Sequence, residues 1–385
     1  MAKAEPKKRE SAAYSSYFDP VRRKMAQRYS RAVLAERFLN LVLGALYLAV
    51  LSIGGGGQQI WKLIVSQVSA YLQVGVFVAL MVLGWRVLSG LVSLVTTYRT
   101  GYSLGLSNQA WWGWLQDWLL EFILEVIISC LAGAGFLLLV TTRPLDWWFW
   151  AWMALSLFSL TMVHLGPVLI MPLFNRFEPL MDHELVQRLE QLVKAAGLTS
   201  QGIYIMDMSR RTSGANAMLA GWGRTRRIIL GDNLVNQFSP PEVEIILAHE
   251  LGHQYHGHIW KTFLFDAVGT LTVVILAWWL LPRVLPIAGT SYLCDPIVLP
   301  WVASVFALGS LGLQPLANAL SRFFERQSDE FALKLTGNPE LFCQVMARLG
   351  DQNLALIDPP AWLEFWFYSH PSIISRIRWA KLQER

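Results

Sequence analysis

Two histidines and a glutamate stand at a spacing that suits metal-assisted hydrolysis. Residues 247–253 read LAHELGH and contain the pattern His-Glu-x-x-His. On an α-helix, His249 and His253 lie one turn apart on the same face, so both imidazoles can reach one Zn²⁺. Glu250, beside the first ligand, can take a proton from metal-bound water. The alternative is two histidines on an ordinary amphipathic helix.

The residues just before this motif predict the start of a helix. Ser239 is a good N-cap, and Pro240 and Pro241 suit the first turn. Glu242 and Glu244 favour the positive end of the helix dipole. A helix from about residue 240 therefore carries both histidines.

A catalytic zinc site normally has three protein ligands, so one ligand is still missing. Residues 321–332 read SRFFERQSDEFA and are helical by pattern. Glu325 and Asp329 lie four residues apart on one face, which makes Glu325 the candidate third ligand and Asp329 a candidate partner of a liganding imidazole. The alternative is a surface helix whose acids pair with Arg322 and Arg326. The preceding His-Glu-x-x-His favours a metal site with one Zn²⁺ per chain.

The other histidines and the cysteines are predicted to lie outside the ligand set. Helical geometry turns His256 away from the metal face, and a structural role is favoured for both His256 and His258. The three cysteines have no paired spacing, so neither a disulfide framework nor a Cys-type zinc site is expected.

The composition is that of an integral membrane protein. Of 385 residues, 54% are hydrophobic and 15% are charged, and the mean hydropathy is +0.39. Four apolar tracts long enough to cross a bilayer precede the motif and two follow it. The predicted spans are 37–54, 64–95, 115–141, 147–171, 259–281 and 297–320.

The net charge of +5 is concentrated near the N-terminus, where ten Lys and Arg fall in the first forty residues. Because a long apolar tract follows directly, this arm is interpreted as the cytosolic flank of the first span. A signal peptide and a nucleic-acid-binding segment are disfavoured, and no nucleic-acid partner is expected. Six spans then place both termini and most catalytic residues on the cytosolic side.

The chain divides into five consecutive sections. The first is a basic cytosolic arm (1–36), and transmembrane helices 1–4 follow it (37–171). The third is a soluble catalytic section with an edge strand and the His-Glu-x-x-His helix (172–258). Transmembrane helices 5 and 6 (259–320) and a C-terminal catalytic section with the third zinc ligand (321–385) complete the chain.

Within the soluble section, the pattern of apolar residues predicts a helix at 182–196 and two strands at 202–206 and 227–230. The edge of such a small sheet could pair with a substrate backbone.

Four carboxylates fall inside predicted spans, where charge is costly unless it is partnered or hydrated. Asp117, Glu121 and Glu125 share one face of the third span. They either face a polar cavity or protein partners, or sit near the interface. Asp266 in the fifth span is expected to face protein or water rather than lipid.

The sequence resembles the integral-membrane zinc metalloproteases known as type I CAAX prenyl endopeptidases. The matching motifs run in the family's order over about residues 95–380. They are residues 247–258, residues 321–332, PLFNRFEPL at 172–180, YSHP at 368–371 with Arg376, and Asn216-Ala217 before the strand at 227–232.

The resemblance implies a fold and roles for particular residues. The implied fold class is an all-α polytopic membrane protein, with about six spans around a water-filled chamber and a small α+β zinc metalloprotease section. Eukaryotic members are expected to have a further N-terminal span. By resemblance, His249, His253 and Glu325 bind zinc, Glu250 is the base, His370 helps stabilise the oxyanion, Asn216 and Ala217 hold the substrate backbone on an edge strand, and Asp329 and Arg376 support the zinc ligands from outside.

The expected function is metal-assisted hydrolysis of peptide bonds that removes C-terminal residues after a prenylated cysteine. One alternative is a membrane-protein quality-control protease with non-prenylated clients. Another is a zinc-stabilised scaffold or channel, which the open position of a His-His-Glu site disfavours. The expected partners are a peptide or membrane-protein substrate and the bilayer, in a bacterial inner membrane or an endoplasmic-reticulum-type membrane.

Overall fold

A computed structural model describes residues 14–221 and 226–383. Residues 1–13 of the predicted basic arm lie outside the described residues. Within the described part, six helices are long and apolar enough to cross a membrane. The N-terminal half contains α1 (Pro20–Ser52), α2 (Gly56–Gln67), α3 (Gln73–Ser93), α4 (Arg99–Ser103), α5 (Trp111–Thr142), α6 (Trp147–Leu165) and α7 (Met171–Phe174).

The soluble section and the last two spans complete the molecule. A wide π-helical turn joins α3 to α4, and another joins α6 to α7. The remaining elements are β1 (Phe177–Pro179), α8 (His183–Ala195), β2 (Gly202–Met206), β3 (Ala217–Ala220), β4 (Arg227–Gly231), α9 (Asp232–Gln237), α10 (Pro240–Tyr255), α11 (His258–Ala288), α12 (Leu299–Thr336), α13 (Pro339–Gln352), α14 (Ala361–Phe367) and α15 (Ile373–Leu382).

The first two predicted spans begin elsewhere than expected. Helix α1 starts at Pro20, capped by the Asp19 carboxylate, so the predicted boundary at residue 36 lies inside one continuous helix. The predicted second span, 64–95, is broken because the chain leaves the helix at Val68 and re-enters it at Gln73. The residues on both sides of this break are largely apolar, so the hydropathy of the sequence does not reveal it.

The last two spans are longer than predicted. Helix α11 continues past Pro282 to Ala288. Helix α12 runs unbroken from the membrane to Thr336, so the segment 321–332 belongs to the same helix as the sixth span. Glu325 therefore lies on the same continuous helix as the sixth span.

All six spans surround one large cavity of about 1180 Å³. This cavity is the chamber that the resemblance implies, and it confirms the predicted arrangement of helices. Each span contributes to its wall, through residues such as Asn40, Trp85, Glu125, Ser159, Asp266 and Gln314.

The carboxylates of the third span have protein partners. Two guanidinium nitrogens of Arg211 each lie 2.7 Å from an oxygen of Asp117, and this pair ties the soluble section to α5. Arg86 on α3 lies 2.7 Å from Glu121 and 3.2 Å from Glu125. The structure therefore favours pairing within the protein, one of the two interpretations left open.

The soluble section contains a four-stranded sheet in the order β1-β2-β4-β3. Strands β2 and β4 are parallel, while β1 and β3 pair antiparallel at the two edges. One face of the sheet contributes to a hydrophobic core that it shares with helices α8, α10, α13 and α15. Fully buried side chains in this core include Leu189, Ile228, Leu230, Leu247, Phe342 and Ile377.

Candidate metal centre and active site

Helix α10 begins as the sequence predicts. Ser239 and Glu242 form a capping box, in which the Ser239 backbone N–H donates to the Glu242 carboxylate at 2.7 Å. Arg348 donates to the same carboxylate at 2.7 and 2.8 Å. Burial alone would raise the pKa of Glu242, but these hydrogen bonds lower it below its ordinary value. The start of the helix is thus fixed in place.

A close crossing of α10 and α12 brings the predicted ligands together. A Cβ atom at Gly252 would lie 2.8 Å from the Cα of Ser328, so only glycine allows the two backbones to approach this closely. The crossing places Glu325 opposite the two histidines of α10.

The donor atoms of His249, His253 and Glu325 form a compact triangle. The two Nε2 atoms lie 3.2 Å apart, His249 Nε2 lies 3.3 Å from Glu325 Oε2, and His253 Nε2 lies 3.3 Å from Glu325 Oε1. Nitrogen or oxygen ligands 2.0–2.1 Å from a tetrahedral Zn²⁺ are about 3.3–3.4 Å apart, so the triangle fits this ion. The three residues fit a zinc site.

The His249 imidazole is held by charged groups. Its Nδ1–H donates to Asp329 Oδ1 at 2.9 Å, which leaves Nε2 facing Glu325, and a metal that binds there displaces the Nε2 proton. Arg376 in turn donates to both oxygens of Asp329, at 2.8 and 2.5 Å. Burial lowers the pKa of His249, but the Glu325 carboxylate and the Asp329 hydrogen bond outweigh it and raise the pKa to about 10.

The His253 imidazole is held by neutral groups. Gln327 Oε1 can only accept, so His258 donates its Nε2–H to it at 3.0 Å and presents a bare Nδ1. His253 then donates its own Nδ1–H to that atom at 3.1 Å and keeps Nε2 free. The His258 ring is 3% exposed and stacks on Phe324 with 4.2 Å between ring centroids.

The contact between His258 and His253 was not singled out from the sequence. The prediction of a structural role for His258 agrees with this position, since it contacts a ligand without joining the donor triangle. A signal was present: Gly257 adopts φ +63° and turns the chain between α10 and α11, so the next residue can fold back on His253. His256 stacks against His258 and adds no donor to the triangle.

The predicted base and oxyanion partner lie at the rim of the triangle. Glu250 is partly exposed, and burial raises the pKa of its carboxyl while His249 and His253 oppose the rise. His370, on the chain between α14 and α15, places Nδ1 2.9 Å from Glu325 Oε2, and 62% of its side chain is exposed. His370 therefore contacts a predicted ligand directly, and Glu250 follows His249 on the same helix.

The predicted substrate-binding residues begin an edge strand beside the metal helix. Strand β3 pairs with β4 on one side only, and it packs against α10. Asn216 is exposed just before this strand, and the Ala217 backbone N–H donates to its side chain at 3.0 Å. An extended peptide could add to this edge.

A smaller cavity of about 300 Å³ adjoins the donor triangle. His253 and His258 line it on the metal side, and Thr262 and Phe263 of α11 line it on the membrane side. Asp266 lines both this cavity and the large chamber. The metal centre and the chamber thus meet at one residue.

Comparisons with known proteins agree with this geometry. Residues 179–384 match the family model described as peptidase family M48, and residues 5–176 match the one described as CAAX prenyl protease N-terminal, five membrane helices. In the described part of that N-terminal region, four helices are long and apolar enough to cross a membrane.

Individual relatives cover most of the chain. An uncharacterized metalloprotease of Bacillus subtilis, YhfN, is 28% identical over 96% of this chain and 88% of its own length. A CAAX prenyl protease 1 homolog of Arabidopsis thaliana is 30% identical over 77% of this chain and 71% of its own length.

A solved structure shares the fold. The crystal structure of S. mikatae Ste24p superposes with a TM-score of 0.81, covering 94% of this chain and 90% of that one at 24% identity. Taken with the family matches and the His-His-Glu donor triangle, these likenesses establish that the chain belongs to peptidase family M48 and is a multi-pass membrane metalloprotease.

Proposed function

We propose that this protein is a zinc-dependent endopeptidase that removes the C-terminal residues following a prenylated cysteine. The observation that carries the zinc and peptidase part is the His249–His253–Glu325 triangle, whose 3.2–3.3 Å edges fit Zn²⁺. The CAAX part is supported by the Arabidopsis thaliana relative, which is named a CAAX prenyl protease 1 homolog. The chamber of about 1180 Å³ offers room for a lipid-bearing peptide.

A zinc ion held by His249, His253 and Glu325 would polarise the scissile carbonyl and lower the pKa of a water molecule. Glu250 takes the water proton and later delivers it to the leaving amine, a role that its raised pKa suits. His370 donates a hydrogen bond to the developing charge on the carbonyl oxygen. Asn216 and Ala217 align the peptide along the free edge of β3.

Asp329 and Arg376 take no part in bond making. Their role is to hold the His249 ring and its tautomer, so that Nε2 faces the metal. We assign His258 the corresponding role for His253.

We also place both termini and most of the catalytic residues on the cytosolic side of the membrane. The support is the basic N-terminal flank of the first span. Cys294 is exposed between α11 and α12, in a turn that would then lie outside. Labelling of Cys294 in sealed cells by an impermeant maleimide tests this orientation, and protection of Cys294 would reverse it.

The function test uses purified protein with and without a zinc chelator. It is offered a farnesylated CAAX peptide and the same peptide without its lipid. Chelator-sensitive cleavage of the farnesylated peptide alone supports the proposal. Equal cleavage of both peptides would favour the quality-control alternative, and no cleavage of either by the zinc-loaded protein would refute the substrate proposal.

The Glu250→Gln variant tests the base. It should keep one zinc per chain and lose turnover by about 10²–10⁴-fold, because only the proton acceptor is removed. Metal analysis and initial rates are measured together. Glu244→Gln is the matched control, since Glu244 lies on the same helix but pairs with Arg188 at 2.6 Å. Equal loss of zinc in Glu250→Gln would contradict the assignment.

A further inference from the structure

Asp266 lies where the small cavity beside the metal opens toward the chamber. It is the only residue that lines both cavities among those the structure describes. Its side chain projects from α11, two turns beyond His258, and it is exposed to cavity space. A peptide that extends from the metal centre into the chamber therefore passes this carboxylate.

The charged residues that line the chamber in the described part of the chain are all acidic. Among its described lining residues, Glu125 and Asp266 are the ionisable acids, and no Lys or Arg is present. Glu125 is paired with Arg86 at 3.2 Å. Asp266 has no ion pair or hydrogen bond with any side chain in the described part of the chain. Its charge therefore acts on whatever enters the cavity.

A carboxylate in such surroundings discriminates strongly between charges. The protein walls of the chamber replace part of the bulk water around this carboxylate, so its interaction with a charge on a bound peptide is screened less than at an open protein surface. It attracts a lysine or arginine side chain and repels an aspartate or glutamate. A buried like-charge pair is one of the ways in which a site rejects a wrong partner.

We propose that Asp266 is a specificity-determining residue of the peptidase. It contacts the part of the bound peptide that reaches from the scissile bond toward the chamber, where it favours a basic or uncharged side chain and rejects an acidic one. This inference rests on the proposed peptidase function. It adds a preference that neither the metal triangle nor the edge strand provides.

The experiment places Lys, Gln or Glu in turn at each position flanking the scissile bond of a peptide that the wild-type protein cleaves. The readout is the ratio of kcat/KM for the Lys peptide to that for the Glu peptide. We expect a ratio of about tenfold or more at one or two positions in the wild-type protein. In Asp266→Asn the ratio should fall to within about threefold of one.

Two variants serve as controls. Asp266→Glu keeps the charge and should retain the preference. Glu125→Gln removes the chamber acid that is already paired with Arg86, and it should leave the ratio unchanged. Asp266→Ser replaces Asp266→Asn if the latter does not fold, as judged by size-exclusion chromatography in detergent.

The outcomes separate this inference from the proposed function. Cleavage of all peptides with equal kcat/KM by the wild-type protein would overturn the role of Asp266 and leave the peptidase intact. A preference that persists in Asp266→Asn or Asp266→Ser would overturn it as well. Absence of any zinc-dependent cleavage would overturn both proposals.

Discussion

The two histidines of the metal centre are supported in different ways. His249 is backed by a carboxylate and a guanidinium, and Asp329 is only 2% exposed. His253 is backed by the neutral His258 and the amide of Gln327. Asp329 and Arg376 can raise the basicity of the His249 imidazole, whereas His258 and Gln327 fix only the tautomer of His253.

The difference follows the surroundings of each ligand. His249 lies against the protein core, where a charge must be paired. His253 borders the small cavity that leads toward the chamber. The charged support therefore lies on the core side of the metal centre, whereas the ligand that borders the small cavity is supported by neutral side chains.

Asp329→Asn should have the largest effect. It weakens the support of His249 and removes the nearer of the two carboxylates that pair with the buried Arg376 guanidinium, leaving only Glu325 at 3.9 Å. We expect zinc affinity to fall by about 10–100-fold and the free energy of unfolding to drop by about 3–5 kcal/mol. Zinc competition with a chelating dye and thermal unfolding in detergent measure the two effects.

A matched control for this variant lies on the same helix. Glu330→Gln removes an exposed carboxylate that pairs with Lys334 at 2.7 Å, so its effect on stability should stay below about 1 kcal/mol. Unchanged zinc affinity in Asp329→Asn would mean that the charged support does not act on the metal.

His258→Phe should have a smaller effect. The phenyl ring can keep the stacking on Phe324 but cannot accept the His253 Nδ1–H. Because the lost hydrogen bond is neutral, we expect a fall in zinc affinity of about tenfold, at the lower end of the range for such outer partners. Zinc competition measures it, with His256→Phe as the control. A loss greater than that of Asp329→Asn would reverse the ranking of the two supports.

Gln327→Glu should have the smallest effect and converts the neutral support into a charged one. The His258 Nε2–H would then donate to a carboxylate, which makes both imidazoles more basic. We expect zinc affinity to rise by no more than about threefold, because the new charge acts on the ligand His253 only through the intervening His258 ring. The same dye competition measures it, and a fall in zinc affinity would show that the open side does not tolerate a charge.

The metal ligands could be predicted because their chemistry is encoded locally. One helical turn separates His249 from His253, and Glu325 stands four residues from Asp329 on another helix. The structure brings the three predicted ligands into one triangle, while the roles of Glu250, His370, Asn216 and Ala217 stay predictions.

What the sequence did not predict depends on contacts between distant elements. The support of His253 requires α10, α11 and α12 to meet, and the spacing of residues along the sequence does not predict that contact. The two interpretations of Asp117 were separated only by Arg211, far along the chain. The break after α2 lies within a continuous apolar run, where hydropathy carries no signal.

Helix α12 has a mechanical consequence. At 1.5 Å per residue its 38 residues make a rod about 57 Å long, roughly twice the thickness of a bilayer's hydrocarbon core. The same continuous helix lines the chamber and carries Glu325. The distance along the helix axis between the chamber wall and the metal centre is therefore set by a single rigid element, and a tilt of α12 would move both together.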